Sequence, residues 1–446
     1  MVAGTHSGCG KTTVATGIMA ALAGRGVQVA PAKVGPDFID PGYHEVATGR
    51  PGRNLDAFLA GRDAIAPLAA RAAAGAEVLV VEGVMGLFDG VGATSEASTA
   101  EVAALLSAPV VLVVDGSSMS ASVAALVEGF AAHLLAHHDV TLAGVVLNRV
   151  GSDHHESLLR EALAPTRVPV LGALRRDPAL RWRDRHLGLV PVVEGRAAVA
   201  ESVRRLAEVV NGAVDLEALV RLARAAPELR VGDLAATRRV TERAVPVAVV
   251  AGPAFSFAYP DNLERLAEAG ADLLPFDPLV DEALPDGARA LYAGGGFPEV
   301  FAEGLAANTK LLDEVAARVR GGLPTWAECG GLLWLARSID GHRLCGALPA
   351  AATMTGRVTV GYRRATVRRD NPVAQKGAAL RGHELHYSAL SPAGDALELV
   401  GRAGTTDGGF ASPSLLASYL HLHLGADPGP AERFVATAAS ERTGRP

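Results

Sequence analysis

A glycine-rich stretch near the start of the chain, AGTHSGCGKTT (residues 3–13), closes with the Gly-Lys-Thr of a phosphate-binding loop. The standard loop has four residues between its first glycine and the Gly-Lys pair, whereas five separate Gly4 from Gly10. The chemistry survives this spacing, because the Lys11 ammonium can reach the β/γ-phosphates and the Thr12 hydroxyl can bind Mg²⁺. The start of the Ala-rich helix that follows adds its dipole. We therefore predict an ATP site, formed here by Gly8, Gly10, Lys11, Thr12 and Thr13, rather than a Gly-rich turn without a ligand.

Acidic residues that could complete a magnesium site lie further along the chain. Glu82 closes the apolar run VLVVEG, where the metal-binding acid of a P-loop protein would stand, and Asp56 lies in RNLDAF. Mg²⁺ prefers such hard oxygen ligands. A solvated strand-end acid is the less favoured interpretation of Glu82, whereas a helix N-cap is nearly as favoured for Asp56. The predicted metal ligands are Thr12, Asp56 and Glu82.

The segment PAKVGPDFIDPGYH (residues 31–44) adds Lys33, Asp37 and Asp40 directly after a predicted strand. Such a density of charge suits a site where an acidic substrate meets phosphate, while a structural loop with Asx turns is an equal alternative. Lysine is rare in this chain, and Lys11 and Lys33 are two of only four, with Lys310 and Lys376. That usage is mild support for a specific task at these positions.

A second reactive group, Cys329, stands in TWAECGGLLWL between an apolar strand and a helix. This arrangement is typical of a nucleophile elbow, and we expect the helix N-terminus to lower the pKa of the thiol. The base would be His421 or His423, which share one face of a predicted strand in SYLHLHLG. The backbone N–H groups near Gly295 and Gly296 suit an oxyanion hole. A buried, inert cysteine is the alternative.

Two further polar segments are less specific. GHELHYS (residues 382–388) contains His383, Glu384 and His386 without zinc-protease spacing. Strand-exposed polar residues are the favoured interpretation, and residues that shape a pocket or an interface are the alternative. The arginine-rich segment at residues 174–189 is either a solvated face or a site for a substrate with several carboxylates.

The elements that must position these groups form two domains. Val-rich runs at residues 28–35, 77–83, 109–116, 142–150 and 168–174 alternate with helical patterns, which predicts a doubly wound, mostly parallel α/β sheet. Parallel strands carry ligands at their carboxyl edge, where Lys33, Glu82 and Asn148 fall. An Arg-rich stretch without strand patterns separates a first domain, residues 1–235, from a second α/β domain, residues 246–440. The strand before the phosphate loop is short, so we expect the natural chain to start further upstream.

Composition narrows the setting of the protein. The net charge of −6 gives no electrostatic reason to expect nucleic acid. Three widely spaced cysteines form no disulfide framework, and no apolar run reaches membrane length. We therefore expect a cytoplasmic protein that binds neither nucleic acid nor a membrane.

Taken together, these segments resemble the cobyrinate or hydrogenobyrinate a,c-diamide synthases over essentially the full chain. Besides the motifs above, the resemblance rests on VEGVMGLFDG, STAEVA, LNRV, RHLGL, FSFAYPDNLERL and AGGGFPE. It implies a first domain like dethiobiotin synthetase, whose phosphate loop likewise has five residues between its glycines. It also implies a second domain like a class I glutamine amidotransferase.

The resemblance further implies a mechanism and roles. ATP phosphorylates a substrate carboxylate, glutamine is hydrolysed through a thioester on Cys329, and the ammonia displaces phosphate, at the a and c side chains of a polycarboxylate corrinoid. The Tyr-x-His motif of the family aligns with residues 419–421, which favours His421 over His423 as the base. Asn148 would lie near the adenine. The usual third residue, a Glu two positions after the His, is His423 here, which implies a Cys–His dyad. Independently of the resemblance, a homodimer is the candidate assembly.

Other functions stay open at this point. Within enzymes, the alternatives are a nickel sirohydrochlorin a,c-diamide synthase or a cobyric acid synthase, although the latter typically lacks KVGPDFIDPGYH. From another class, a ParA-like regulatory ATPase would carry a signature lysine where His6 stands, and it would leave the Cys329 domain unexplained.

Overall fold

The computed structural model describes residues 1–177, 190–229 and 231–440, together with the backbone of residues 184–185 and 188–189. The chain divides into two compact units, Met1–Leu234 and Ala235–Pro446. Each is built of helices and strands around its own apolar core, as the α/β prediction required.

A seven-stranded parallel sheet forms the centre of the first unit, with strand order β3-β2-β4-β1-β5-β6-β7. The strands are β1 (Val2–Gly4), β2 (Val29–Val34), β3 (Arg53–Leu55), β4 (Val78–Glu82), β5 (Val110–Asp115), β6 (Leu142–Val150) and β7 (Val170–Arg175). The five Val-rich runs predicted as strands are β2, β4, β5, β6 and β7. Nearly all their side chains are buried, because helices cover both faces of such a sheet.

The first six helices of this unit connect successive parallel strands, and the last two follow β7. They are α1 (Lys11–Gly24), α2 (Asp40–Thr48), α3 (Ile65–Ala73), α4 (Thr99–Leu105), α5 (Ser122–His138), α6 (Asp153–Leu163), α7 (Arg196–Ala213) and α8 (Leu216–Ala225). A separate pair, β8 (Asp184–Arg185) and β9 (Gly188–Leu189), is antiparallel. α1 is buried along most of its length under α7. The phosphate loop therefore begins a helix fixed by the core.

The second unit contains two sheets. The first has the order β11-β10-β12-β13-β21-β20 and is parallel except for β20. Its strands are β10 (Val245–Val250), β11 (Ala271–Phe276), β12 (Ala290–Ala293), β13 (Thr325–Glu328), β20 (Phe410–Ser412) and β21 (Leu415–Ser418). The second sheet makes the later part of this unit rich in β-structure. It consists of β14 (Ser338–Ile339), β15 (His342–Arg343), β16 (Ala351–Val367), β17 (Ala379–Ser391), β18 (Leu397–Gly401), β19 (Gly404–Gly408) and β22 (His421–Leu422).

Five helices complete the described part of this unit. They are α9 (Pro260–Ala269), α10 (Ala302–Ala307), α11 (Thr309–Arg320), α12 (Gly330–Leu335) and α13 (Gly429–Ser440). The turn at Cys329 joins β13 to α12, so the predicted strand–turn–helix around the cysteine is confirmed. The strand predicted for SYLHLHLG is shorter than expected, since β22 ends before His423.

Candidate active site

The phosphate loop connects the end of β1 to α1 through a backbone that requires glycine. Gly10 precedes the first residue of α1 with φ 96° and ψ 23°, in the left-handed region where a Cβ is disfavoured. A side chain there would also collide with Asn148, whose Nδ2 donates to the Cys9 carbonyl at 2.9 Å. Lys11 Nζ donates to the His6 carbonyl at 3.2 Å. Asn148 thus braces the loop, and its predicted place near the adenine stays a prediction.

Four of the predicted residues converge beside this loop. Lys33 Nζ lies 2.6 Å from Asp40 Oδ2 and 2.7 Å from Glu82 Oε1. The Thr12 hydroxyl donates to Glu82 Oε1 at 2.7 Å and is 3.3 Å from Asp40 Oδ2. β2 and β4 pair in register at Lys33 and Glu82, which explains why residues far apart in sequence meet.

His44 belongs to the same cluster, although sequence reasoning did not single it out. Its Nε2 lies 2.7 Å from Glu82 Oε2, and both side chains are fully buried. Since an ionised carboxylate only accepts, His44 donates this hydrogen bond. His44 closes the quoted segment PAKVGPDFIDPGYH, and its position on α2 one turn after Asp40 was the available signal.

The charges of this cluster are set by burial and by mutual pairing. Burial by itself raises the pKa of Glu82, but the Lys33 charge and the His44 hydrogen bond hold it well below its usual range. Burial lowers the pKa of Lys33, and the charges of Asp40 and Glu82 more than reverse this. Burial and the Asp37 charge raise the pKa of Asp40. Burial, reinforced by the Lys33 charge, lowers that of Lys11.

An open cavity of about 740 Å³ lies against the loop and the cluster. Predicted residues that line it are Gly8, Gly10, Lys11, Thr12, Thr13, Lys33, Asp37, Asp40 and Asn148. The Asp37 carboxylate accepts from the N–H groups of Ile39 and Asp40, so it also makes the Asx turn that was the alternative. The cavity is large enough for a nucleotide's phosphates and part of a substrate.

Unlike the other residues predicted for the nucleotide and metal, Asp56 and Glu82 do not line this cavity. Glu82 is fully buried but touches Thr12, which does line it. Asp56 is also fully buried, and its Oδ1 accepts from the N–H groups of Phe58 and Leu59 at 2.9 Å. It thus caps a turn, where the alternative interpretation had a helix N-cap, and its role as a metal ligand stays a prediction.

The cysteine site is built on a strained turn. Cys329 has φ 47° and ψ −99°, a conformation that a non-glycine residue adopts only at energetic cost. Gly330 and Gly331 make the turn possible, because a Cβ on Gly330 would lie 2.8 Å from the Gly296 nitrogen and one on Gly331 2.1 Å from the Ala293 carbonyl. The sequence expectation of an elbow is therefore matched in geometry.

The expected lowering of the thiol's pKa is wrong for this structure. Cys329 is only 4% exposed, and burial, together with the charges of Glu299 and Glu384, raises the pKa of the thiol well above its usual range. The Gly330 N–H bonds to the sulfur and lowers the pKa, but by less. Desolvation dominates because the sulfur faces protein, with the Leu385 carbonyl 3.8 Å away.

His421 lies close to the glycines that were predicted to form an oxyanion hole. A Cβ on Gly295 would meet its Cε1 at 2.5 Å and its Nε2 at 3.3 Å. The Gly295 N–H, however, donates to the Phe257 carbonyl at 2.9 Å, so the structure corrects the assignment of Gly295 as an oxyanion donor. Gly296, whose nitrogen faces Gly330, is the member of the pair that keeps this prediction.

The residues of GHELHYS are not strand-exposed, which corrects the favoured interpretation. His383 and Glu384 are buried on β17. The His383 ring stacks on His421 with centroids 4.9 Å apart, and its Nε2 lies 2.8 Å from the Tyr259 hydroxyl. Arg363 pairs with Glu384 at 2.7 Å. Burial lowers the pKa of His386 to about 4.

Only part of the arginine-rich segment can be placed. Arg175 and Arg176 line the 740 Å³ cavity, and Arg175 also pairs with Asp153 and Glu156. Arg181, Arg183 and His186 lie outside the described residues, as does the side chain of Arg185. In the part of the chain that is described, no helix is both long and apolar enough to cross a membrane.

The two sites define a class of protein, namely a P-loop nucleotide-binding unit joined to a cysteine amidotransferase unit. Residues 1–190 match the CobQ/CobB/MinD/ParA nucleotide binding domain, and residues 246–429 match the CobB/CobQ-like glutamine amidotransferase domain. The chain belongs to the family of hydrogenobyrinate and cobyrinate a,c-diamide synthases, which confirms the resemblance drawn from its motifs.

Three relatives illustrate this membership. A hydrogenobyrinate a,c-diamide synthase of Streptomyces coelicolor is 46% identical over 98% of this chain and 96% of its own. One of Thermobifida fusca is 46% identical over 99% and 97%. A cobyrinate a,c-diamide synthase of Caldanaerobacter subterraneus subsp. tengcongensis is 41% identical over 95% and 94%.

Proposed function

We propose that this protein uses ATP and glutamine to convert the a and c side-chain carboxylates of hydrogenobyrinate or cobyrinate to amides, a step of cobalamin biosynthesis. The synthetase half is assigned to residues 1–235 and the glutaminase half to residues 246–440. The observation that supports this most is that a chain of this family carries both an open phosphate-loop cavity and a strained cysteine turn.

In the synthetase half, a substrate carboxylate oxygen attacks the γ-phosphorus of ATP, ADP leaves, and an acyl phosphate forms. Ammonia then attacks the acyl carbon and phosphate departs, which leaves the amide. Lys11 would neutralise charge on the transferring phosphoryl group, and Lys33 would do so from beside the cavity.

The residues beside the loop fit a bound Mg²⁺. The Thr12 hydroxyl is a hard oxygen donor, and the carboxylates of Asp40 and Glu82, two more, each lie within hydrogen-bonding distance of it. Among the described residues no cluster of three or more His, Cys, Asp or Glu forms a metal cage, and Mg²⁺ at nucleotides typically uses one or two carboxylates together with phosphates. When bound, the ion would offset phosphate charge, with Thr12 and Glu82 as its main protein ligands and Asp56 as the third predicted one.

In the glutaminase half, His421 takes the proton of the Cys329 thiol, and the thiolate attacks the side-chain carbonyl carbon of glutamine. The C–N bond breaks as His421 returns the proton to the leaving ammonia, and water then cleaves the thioester to glutamate. Burial favours the neutral thiol, so the proposed proton transfer to His421 is part of the attack step. The Gly296 N–H is the proposed oxyanion donor.

A single substitution tests the two-site scheme. Cys329→Ala should abolish glutamine-driven amidation and glutaminase activity while amidation driven by added ammonia survives. Cys345→Ala is the matched control, since Cys345 is equally buried and lies outside the turn. Loss of both reactions in a folded Cys329→Ala protein would contradict the proposal.

The identity of the ring substrate needs a separate measurement. Product masses after incubation with ATP, glutamine and either metal-free or cobalt-loaded substrate would distinguish hydrogenobyrinate from cobyrinate, and a nickel sirohydrochlorin substrate belongs in the same panel. A ParA-like function would leave all these substrates unchanged. A cytoplasmic location and a homodimer are part of the proposal, and light scattering tests the latter.

A further inference from the structure

A buried carboxylate lies beside the proposed base. Glu328 Oε2 is 3.7 Å from His421 Nδ1, and the two side chains are 2% and 1% exposed. Burying a carboxylate is costly unless the protein compensates for lost water, so its retention next to an imidazole calls for an explanation. Glu328 directly precedes the nucleophile in sequence, whereas the usual amidotransferase carboxylate stands two residues after the histidine, where this chain has His423.

The position of Glu328 is set by the sheet. It is the last residue of β13, and because side chains alternate along a strand, it shares the face of Trp326. Its Oε1 accepts from the Leu422 N–H at 3.1 Å, and the Tyr292 hydroxyl donates to Oε2 at 3.3 Å. Burial and the Glu328 charge raise the pKa of Tyr292, which keeps that hydroxyl protonated as a donor.

The His421 ring is held so that its two nitrogens face different partners. Its Cε1–Nε2 edge packs against Gly295, next to the glycine that contacts Gly330 beside the nucleophile. Its Nδ1 faces Glu328. Its ring face stacks on His383, and burial together with the charges of His421 and His423 lowers the pKa of His383, which is therefore neutral. An imidazolium formed at His421 would meet the Glu328 carboxylate on its Nδ1 side and no opposing charge from His383.

We propose that Glu328 is the positioning residue of His421 and completes a Cys329–His421–Glu328 triad. In this arrangement Nδ1–H of His421 donates to the Glu328 carboxylate. This fixes the tautomer whose Nε2 carries no proton and can accept that of the thiol, and it stabilises the imidazolium that results. The 3.7 Å separation contracts to a hydrogen bond when substrate is bound, as such contacts commonly do. This inference rests on the proposed glutaminase function and replaces the dyad that the sequence implied.

The same unit contains a rival pair that serves as an internal comparison. His423 Nε2 lies 3.8 Å from Asp261 Oδ2, and both side chains are buried. The ring packed against Gly295 is that of His421, whereas His423 packs edge-on to Tyr259 at 4.8 Å. The two histidine–carboxylate pairs have similar distances but only one adjoins the glycines at the cysteine turn.

The test uses the full-length protein and the matched substitutions Glu328→Gln and Asp261→Asn. Glutaminase kcat should fall about 10²- to 10⁴-fold in Glu328→Gln with the KM for glutamine nearly unchanged, because the carboxylate acts in the chemical step. Asp261→Asn should change kcat by less than about threefold if it is only structural. Ammonia-driven amidation by each variant reports on the intact synthetase half.

A second variant decides the matter if Glu328→Gln does not fold. Tyr292→Phe keeps the carboxylate but removes one of its anchors, and we expect a severalfold fall in kcat with an unchanged KM. Unchanged kcat in a folded Glu328→Gln protein, or in Tyr292→Phe when the former is unfolded, would overturn the inference. So would a loss confined to Asp261→Asn, which would make His423 the base.

These outcomes differ from failure of the proposed function. If the wild-type chain hydrolyses no glutamine, the function itself is wrong. If it does, and depends on Cys329 but not on Glu328, the function stands and the triad falls.

Discussion

The two sites of this protein handle charge in opposite ways. Beside the phosphate loop, Lys33 and Glu82 are buried yet pair so closely that the pKa of each moves towards its charged form. At the cysteine turn, burial prevails, and the pKa values of Cys329 and His383 move towards their neutral forms. Phosphoryl transfer needs charges already in place before ATP arrives, whereas a thiol attack can begin neutral and move one proton during the reaction.

Removing the lysine of the phosphate loop should produce the largest effect. Lys11→Ala is expected to lower amidation on the order of 10²–10³-fold with either nitrogen source, because the charge that offsets the phosphates is lost. Glutaminase activity should persist. Lys310→Ala, which removes an exposed lysine of the second unit, is the control, and steady-state rates of phosphate release measure both. Equal losses of amidation in the two variants would contradict a specific role of Lys11 in phosphoryl transfer.

Removing the histidine of the charged cluster should have a smaller effect than removing Lys11. His44→Gln is expected to weaken Mn²⁺ binding, measured by electron paramagnetic resonance in the presence of ATP, about 10–100-fold, because Glu82 loses the partner that orients it. His342→Ala removes an exposed histidine and should bind Mn²⁺ as the wild type does. Normal binding by His44→Gln would show that Glu82 is positioned without it.

The neutral thiol has its own measurable signature. At pH 7 iodoacetamide should label Cys329 in the native protein at least about tenfold more slowly than in the unfolded chain, because burial disfavours the thiolate. The labelling rate should rise only at a pH above 9.0, the ordinary pKa of a cysteine thiol. Peptide mass spectrometry resolves Cys329 from Cys9 and Cys345. Rapid native labelling at pH 7 would instead mean that a thiolate is present before glutamine binds.

The smallest effect expected is on stability in acid. The pKa of Glu82 is lower in the folded protein than in the unfolded chain, where it is 4.5. Glu82 therefore contributes to the free energy of unfolding at a pH above 4.5, and this contribution is lost as the pH falls towards the folded pKa. Calorimetry should show a fall of about 2–4 °C for each kcal/mol lost. Glu82→Gln should be less stable at pH 7, since Lys33 loses a partner, and should show a weaker dependence on acid. An equal slope in both proteins would exclude this contribution.

The sequence alone predicted most of the strands, the phosphate loop of the first site and the cysteine turn of the second. The Val-rich runs specify buried parallel strands, and GKTT and ECGG specify turns that few other sequences form. Pairings across the fold were out of reach, because the register of β2 with β4 that joins Lys33 to Glu82 depends on packing and not on local pattern. Glu328 shows the limit well. Glu82 was singled out because it is an acid at the end of an apolar strand. Glu328 has the same sequence context, but its neighbour Cys329 was the residue that the sequence pattern indicated.

The sequence also provided no indication of how deeply Cys329 and His383 are buried. A helix N-terminus after Cys329 suggested a lowered thiol pKa, but the effect of the surrounding protein is larger and has no local sequence signature. His383 likewise lies on a strand whose outward and inward faces cannot be assigned without knowing which sheet covers it.

The backbone of Cys329, finally, implies a conflict between activity and durability. A residue with a Cβ at φ 47° and ψ −99° costs roughly 1–3 kcal/mol, and glycine would relieve much of that cost. The inactive Cys329→Gly protein should therefore unfold at a higher temperature than the wild type, whereas Cys329→Ala should not. Stability alone would favour glycine at this position, so the strained backbone is the cost of holding a thiol at the turn.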